Sequence, residues 1–468
     1  MTVPVAGLTT ERGGGSHPSG EAHRSESLGA PPRPTRSVAL RALVLAELVT
    51  LVVFGVLTVA RYPLFGPDEM AHYSYVQSIA EHQQLPILGQ SPMSPEALAI
   101  EAGAYPRIPH FDEAKMGLVG LSYEAFQPPL YYLAAAPVFA AVPGYRAKAY
   151  ALRSFDLFLF LLAVALAAWL ARSVLRERWL VGFAGMLLVF DLPNVVLNSV
   201  SISNGALAIP IALGFLLALW KAWERHSRRL LLLASALLGL AVLTELELIS
   251  LGAALVVVVA AEAWRDRRPA SLVGLIGVLL LPLLLVSPWL AFNEVHFHAL
   301  TAGALAVKEQ RPIVNPHDVH FGVGGIPGQL VVNFLIPNTL LPEQWGTLLI
   351  GRTGLSFAGT LLTVSLFPLA LLAAVATRHQ LWDRRAALLA LPLLAVLVVT
   401  AVIEVHEQTA DIRSRYTFPV LAAWGLWVTL LVDGLFRERR ATFLLGLSLW
   451  AIVVWYWVDA ARVFLVAR

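Results

Sequence analysis

The chain contains no cysteine, which excludes disulfides, thiolate metal sites and cysteine nucleophiles without naming a compartment. Charge is scarce as well. Only 14% of the 468 residues are Asp, Glu, Lys or Arg, whereas 57% are hydrophobic and the mean hydropathy is +0.69, a balance far from that of a soluble domain. The formal charge of +3 is small for this length, and the basic residues fall in short clusters between apolar runs, so no basic face for nucleic acid is built. No GxxxxGK[ST] loop, dinucleotide fingerprint or G-x-S-x-G elbow occurs, which argues against an ATPase, a soluble-type oxidoreductase and a serine hydrolase. Internal repeats are also lacking, so a transporter built from inverted halves gains no support.

What the chain has instead is a series of long apolar runs. Residues 1–36, rich in Gly, Ser, Pro, His and charge, have no apolar period and are expected to form a disordered cytoplasmic tail. The first run, residues 38–60, is too long and too far from the start for an ordinary signal peptide. Further candidate spans lie near 153–171, 179–197, 204–222, 229–244, 246–263, 270–290, 354–376, 386–403, 416–434 and 441–459. The expected fold class is an all-α polytopic membrane protein over residues 37–468, with about eleven transmembrane helices of the length that crosses about 30 Å of hydrocarbon. Basic clusters such as Arg172/Arg176/Arg178, Arg265/Arg267/Arg268 and Arg437/Arg439/Arg440 occupy every second connection, and the positive-inside rule makes those connections and the amino terminus cytoplasmic. In this register residues 127–143 cannot be a full span; they are expected to form an interfacial or shallow re-entrant helix within a large first external loop, 61–152. A second long external loop covers 291–353. The predicted location is the plasma membrane, multi-pass, with lipid on all sides of the apolar surface.

The strongest chemical signal is the string Gly-Pro-Asp-Glu-Met-Ala-His-Tyr at residues 66–73. Asp68 and Glu69 stand together where the first span leaves the bilayer, and apolar Ala71, Tyr75, Val76 and Ile79 at helical spacing predict a surface helix beginning at Asp68. His72 then lies one turn from Asp68, where it can hold the carboxylate ionised, share its proton or help it bind a divalent cation. A plainer reading makes Asp68 an N-cap and Glu69 a partner of the helix dipole.

The Pro-Asp-Glu-x-Ala-His-Tyr-x-Tyr string, Leu85-Pro86, the string Glu124-Ala-Phe-Gln-Pro-Pro-Leu-Tyr-Tyr132 and Arg153 resemble the first external loop of GT-C membrane glycosyltransferases, most of all their uncharacterised bacterial members. The segment from Pro193 to Ser203-Asn204 is similar to a family string in which an aspartate is common where this chain has Gly205. Leu243-Thr244-Glu245 resembles a Leu-Thr-Lys string, with Glu245 in place of lysine. Ser287-Pro288-Trp289, Asn293 and Arg415-Tyr416-x-x-Pro419 extend the likeness.

The resemblance implies a GT-C-like fold and a sugar donor carried on polyprenyl phosphate, with transfer to an extracytoplasmic glycan, lipid or protein acceptor of the cell envelope. Such chemistry needs a base for the acceptor hydroxyl and cations for the departing phosphate. Asp68 is assigned as the base, with Glu69 and His72 orienting it or joining it at a metal. The resemblance permits a metal without requiring one, and Mg²⁺ or Mn²⁺ would suit oxygen ligands. Gln127, Arg153, Arg413, Arg415 and Tyr416 are the substrate-binding candidates, the arginines because guanidinium matches phosphate oxygens. Alternatively, those arginines pair with Asp156, Asp411 or Glu407, and Tyr416 belongs to an interfacial aromatic belt. Glu245 and Glu247 form either a tight external turn or a second carboxylate at the same cavity. The polar groups at His110/Asp112/Glu113, His296/His298 and His317/Asp318/His320 read as solvated loop residues. The alternative function is a non-enzymatic transporter or lipid-glycan binder.

Overall fold

The computed structural model describes residues 36–60, 64, 68–102, 122–266, 269–301, 418–435 and 439–466, with short pieces between 391 and 399. The architecture is helical. The first helix, α1 (Arg36–Ala60), precedes α2 (Glu69–His82) and α3 (Pro95–Ala102). A 3₁₀ turn at Tyr123–Phe126 leads to α4 (Leu130–Ala140) and the 31-residue α5 (Tyr145–Leu175). Next come α6 (Trp179–Phe190), α7 (Pro193–Val200), α8 (Gly205–Arg225), α9 (Arg228–Val242), α10 (Gly252–Arg265) and α11 (Pro269–Phe297). Two late helices, α12 (Phe418–Leu435) and α13 (Arg439–Val466), complete the described fold.

Among the described residues, five stretches are long and apolar enough to cross a membrane: Val38–Ala60, Tyr145–Phe190, Gly205–Arg225, Leu246–Arg265 and Leu272–Phe297. The spans expected at 354–376 and 386–403 lie outside the described residues or in the short pieces. Two differences from the sequence expectation have clear causes. The helix expected at 153–171 begins earlier, at Tyr145, because Gly144 (φ 80°) takes a backbone turn costly for any other residue and opens the helix there. The run 179–197 is interrupted at Asp191-Leu192, because Pro193 cannot donate an N–H and its ring collides with a preceding turn, so it starts a new helix at its first position.

The main core gathers α1, α5, α6, α8, α9 and α12 around residues such as Leu51, Phe160, Met186, Phe190, Leu213 and Leu426. Between α6 and α12 the backbones meet at glycine: a Cβ on Gly425 would stand 2.7 Å from the Gly185 carbonyl oxygen. Small residues permit this approach, a common route to helix association in lipid. A second, smaller core holds the first-loop helices. Tyr73, Tyr75 and Val76 of α2 pack with Tyr131, Tyr132 and Phe139 of α4 and with Leu152 of α5. The segment expected to be interfacial is thus an 11-residue helix, α4, with one face buried in protein. Likewise α2 is buried from Ala71 to Gln77, not a surface helix. Glu81 at its far end pairs with Lys148 of α5.

Candidate active site

The site is assembled at the amino end of α2. Asp68 is the N-cap and sits in the left-handed region at φ 57°, a conformation that aspartate tolerates better than most residues. The helix begins at once behind it, with the His72 N–H donating to the Asp68 carbonyl at 3.0 Å, so the expected one-turn spacing of Asp68 and His72 is present. The two adjacent carboxylates have different surroundings. Asp68 is half-buried, and the Tyr123 hydroxyl donates to its Oδ1 at 3.1 Å. Glu69 is fully buried and meets Arg153 in a fork: Nε donates to Oε1 at 2.8 Å and Nη2 to Oε2 at 2.5 Å. The Ile202 N–H adds a third hydrogen bond to Oε1 at 2.9 Å, and Arg153 Nη1 donates to the Thr58 carbonyl at 3.2 Å. One buried ion pair therefore joins the end of α1, the start of α2, the body of α5 and the turn after α7. A buried carboxylate needs such full compensation.

His72 Nδ1 lies 2.8 Å from the Tyr132 hydroxyl, the donor being set by the imidazole tautomer. Tyr132 stacks on Tyr75 with centroids 3.7 Å apart and planes at 9°. The Tyr75 hydroxyl donates to the Gln127 carbonyl at 3.2 Å, and burial pushes its acidity well above the ordinary phenol range, so it stays a neutral donor. The Asn204 side-chain amide then ties three segments, donating to Gln127 Oε1 at 3.2 Å and to the Thr244 carbonyl at 3.0 Å. Leu130 N–H donates to the Leu243 carbonyl at 2.9 Å. Glu245, next to Thr244, is buried at 5% exposure rather than solvated.

Of the candidates named from sequence, Asp68, Glu69, His72, Gln127 and Arg153 are thus brought into one connected region. Arg153, expected against a phosphate or paired with Asp156, instead faces Glu69 and is 2% exposed. Asp156 receives the Tyr131 hydroxyl at 3.0 Å on each oxygen. Arg413, Arg415, Tyr416, the His110 group and the His317 group lie outside the described residues. Among the described residues no three His, Asp or Glu side chains gather so as to hold a metal ion. Sequence reasoning overlooked Tyr123, whose only signal was its place at the head of the Glu124–Tyr132 string, and the Ile202 N–H, for which a backbone group offers no signal.

Residues 118–301 match the model of the family described as dolichyl-phosphate-mannose-protein mannosyltransferase, PMT. No curated protein matches the sequence. Among solved structures, the fold is similar to ArnT from Cupriavidus metallidurans bound to undecaprenyl phosphate, with a TM-score of 0.52 and 16% identity. That alignment covers 88% of this chain and 64% of ArnT, so the chain spans less than two thirds of that protein's length. The oligosaccharyltransferase of Archaeoglobus fulgidus, in complex with Zn and sulfate, aligns at a TM-score of 0.42 and 13% identity over 89% of this chain and 52% of its own. By its matched segment and its ArnT-like fold, the chain resembles the GT-C-type membrane glycosyltransferases.

Proposed function

We propose that the protein is a membrane glycosyltransferase that moves a sugar from a polyprenyl-phosphate donor to an extracytoplasmic acceptor of the cell envelope, with Asp68 as the base. The observation that carries this reading is the division of labour between the adjacent carboxylates. Glu69 is neutralised by Arg153 inside protein, while half-buried Asp68 is held from the side by Tyr123. The first arrangement anchors a helix; the second presents a carboxylate. The PMT match and the lipid phosphate bound by ArnT support the donor class.

In this reading the acceptor hydroxyl oxygen attacks the anomeric carbon and gives its proton to an Asp68 oxygen. The bond from the anomeric carbon to the phosphate oxygen breaks, and polyprenyl phosphate leaves with the bonding pair. Glu69 and His72 act by position: Glu69 fixes the start of α2, and His72 is oriented through Tyr132. Gln127, fixed by Asn204 and by Tyr75, borders the space for substrate. Because Arg153 is engaged with Glu69, the phosphate contacts are assigned to Arg413 and Arg415, and a contact to sugar or lipid to Tyr416.

The test is transfer from a panel of radiolabelled polyprenyl-phosphate sugars to extracted envelope acceptors by the purified protein and by Asp68→Asn. Transfer by the wild type that drops at least a hundredfold in Asp68→Asn, at equal folded yield, supports the base. Donor binding with no turnover by the wild type would favour a lipid-glycan binding role instead.

A further inference from the structure

The side-chain amides of Gln127 and Asn204 meet across 77 residues of sequence. The 3₁₀ turn at Tyr123–Phe126 carries Tyr123, whose hydroxyl is on Asp68, at one end and Gln127 at the other, about 8 Å along the turn at about 2 Å per residue. Pro128 bars Gln127 from helical backbone, and Gln127 is extended at φ −67° and ψ 148°. Its N–H donates to the Glu124 carbonyl at 3.0 Å, and its carbonyl accepts the Tyr75 hydroxyl at 3.2 Å. With the backbone held, the remaining freedom is that of the terminal amide, whose torsion is soft and roughly two-fold. Hydrogen bonding decides which way Oε1 and Nε2 face.

Asn204 makes that decision. It stands at the amino end of α8, where an asparagine ordinarily caps the helix, yet its side chain makes no cap hydrogen bond. Its Nδ2 donates instead to the Thr244 carbonyl at 3.0 Å, just beyond the end of α9, and to Gln127 Oε1 at 3.2 Å. A backbone carbonyl only accepts, so the Asn204 atom facing Thr244 has to be the nitrogen. That nitrogen only donates, so the Gln127 atom facing it has to be the oxygen. Exchanging oxygen and nitrogen in either amide would set acceptor against acceptor or donor against donor. Gln127 therefore keeps both Nε2 protons. Among the described residues Nε2 has no hydrogen-bond partner, and the residue is still 8% exposed.

We propose that Asn204 is a positioning residue that fixes Gln127 as a hydrogen-bond donor to a substrate oxygen, a sugar hydroxyl or a phosphate oxygen of the lipid-linked sugar. The identity of that ligand rests on the glycosyltransferase reading above; the order of the amides does not. A glutamine free to turn offers oxygen and nitrogen alternately, whereas a held one is preorganised for ligands that bring an acceptor.

The test is binding to the full chain in nanodiscs, with the panel of radiolabelled polyprenyl-phosphate sugars and sugar-free undecaprenyl phosphate as probes. Wild type, Asn204→Ala, Gln127→Met and the double variant are compared; methionine keeps the length of glutamine and removes its amide. Each single variant should bind the wild type's preferred lipid-linked sugar roughly twofold to tenfold more weakly. The double variant should be no weaker than Gln127→Met, because Asn204 acts through Gln127. Loss confined to the sugar-bearing lipids assigns the accepting oxygen to the sugar, and equal loss for undecaprenyl phosphate assigns it to the phosphate. If Asn204→Ala does not fold, Asn204→Ser, too short to reach Gln127, carries the comparison. Wild-type affinity in either single variant, or losses that multiply in the double variant, would overturn the proposal and leave the glycosyltransferase reading standing. Selective binding with no turnover by the wild type would remove that reading and keep the proposal. A wild type that binds none of these lipids would remove both.

Discussion

Arg153 and Glu69, 84 residues apart in sequence, close a two-pronged ion pair in which both side chains are at most 2% exposed. Removing either partner leaves the other charge buried and uncompensated, a loss on the order of 3–5 kcal/mol. Arg153→Ala and Glu69→Ala should therefore lower the melting temperature and folded yield sharply. The double change to Arg153→Leu/Glu69→Leu should recover part of that loss. Thermal melts in a single detergent check it, and a single variant that melts like the wild type would remove the anchoring role.

Tyr123 makes a different prediction because its hydrogen bond reaches the proposed base rather than a structural pair. Loss of one hydrogen bond to a charged group is worth about 1.5–3 kcal/mol, so Tyr123→Phe should reduce kcat roughly tenfold to a hundredfold. The KM for the donor should hold, because Tyr123 orients the base and does not bind the lipid. A fall in stability with kcat intact would show the hydroxyl to be only a packing element.

The pairing of Glu81 with Lys148 links α2 to α5 and is open to pH. Burial raises the Glu81 carboxyl, but hydrogen bonds from Lys148 and Gln77 outweigh it, and the net shift is downward from the usual value of 4.5. A depressed acid adds stability that is complete above its unfolded value and disappears as pH falls through the folded one. Lys148→Met should thus melt below the wild type at pH 7. The gap should close as pH drops below about 4. A gap of constant size across that range would rule out the ion pair as its source.

Much of this architecture could be read from the residues themselves, and the reasons for success and failure differ by element. The apolar runs of α1, α8 and α11 state their length directly. The Asp68–His72 string is local, so one turn of helix suffices to place its members. The Arg153–Glu69 pair could not be read, because Asp156 is nearer to Arg153 in sequence while the tertiary fold brings Glu69 to it. The break at Asp191 had a visible cause in Pro193, but the run of apolar residues around it reads as one span.

The crossing of α6 and α12 offers a test of packing that is remote from any charge. A methyl group on Gly425 would meet the Gly185 carbonyl oxygen at 2.7 Å and Val189 Cγ2 at 2.9 Å. The first contact is with backbone, which cannot rotate aside, so the helices must separate and lose the close contact that holds them in lipid. A methyl on Gly214, by comparison, would meet only Leu237 Cδ1 at 3.7 Å, an ordinary contact. Gly425→Ala should therefore melt several degrees below the wild type, a cost of about 1–3 kcal/mol. Gly214→Ala should equal or exceed the wild type, since alanine is the better helix former by about 1 kcal/mol. Melts of the two variants in the same detergent separate the explanations: equal losses would point to a general intolerance of alanine in these spans, whereas a loss confined to Gly425→Ala fixes the α6–α12 contact as the cause.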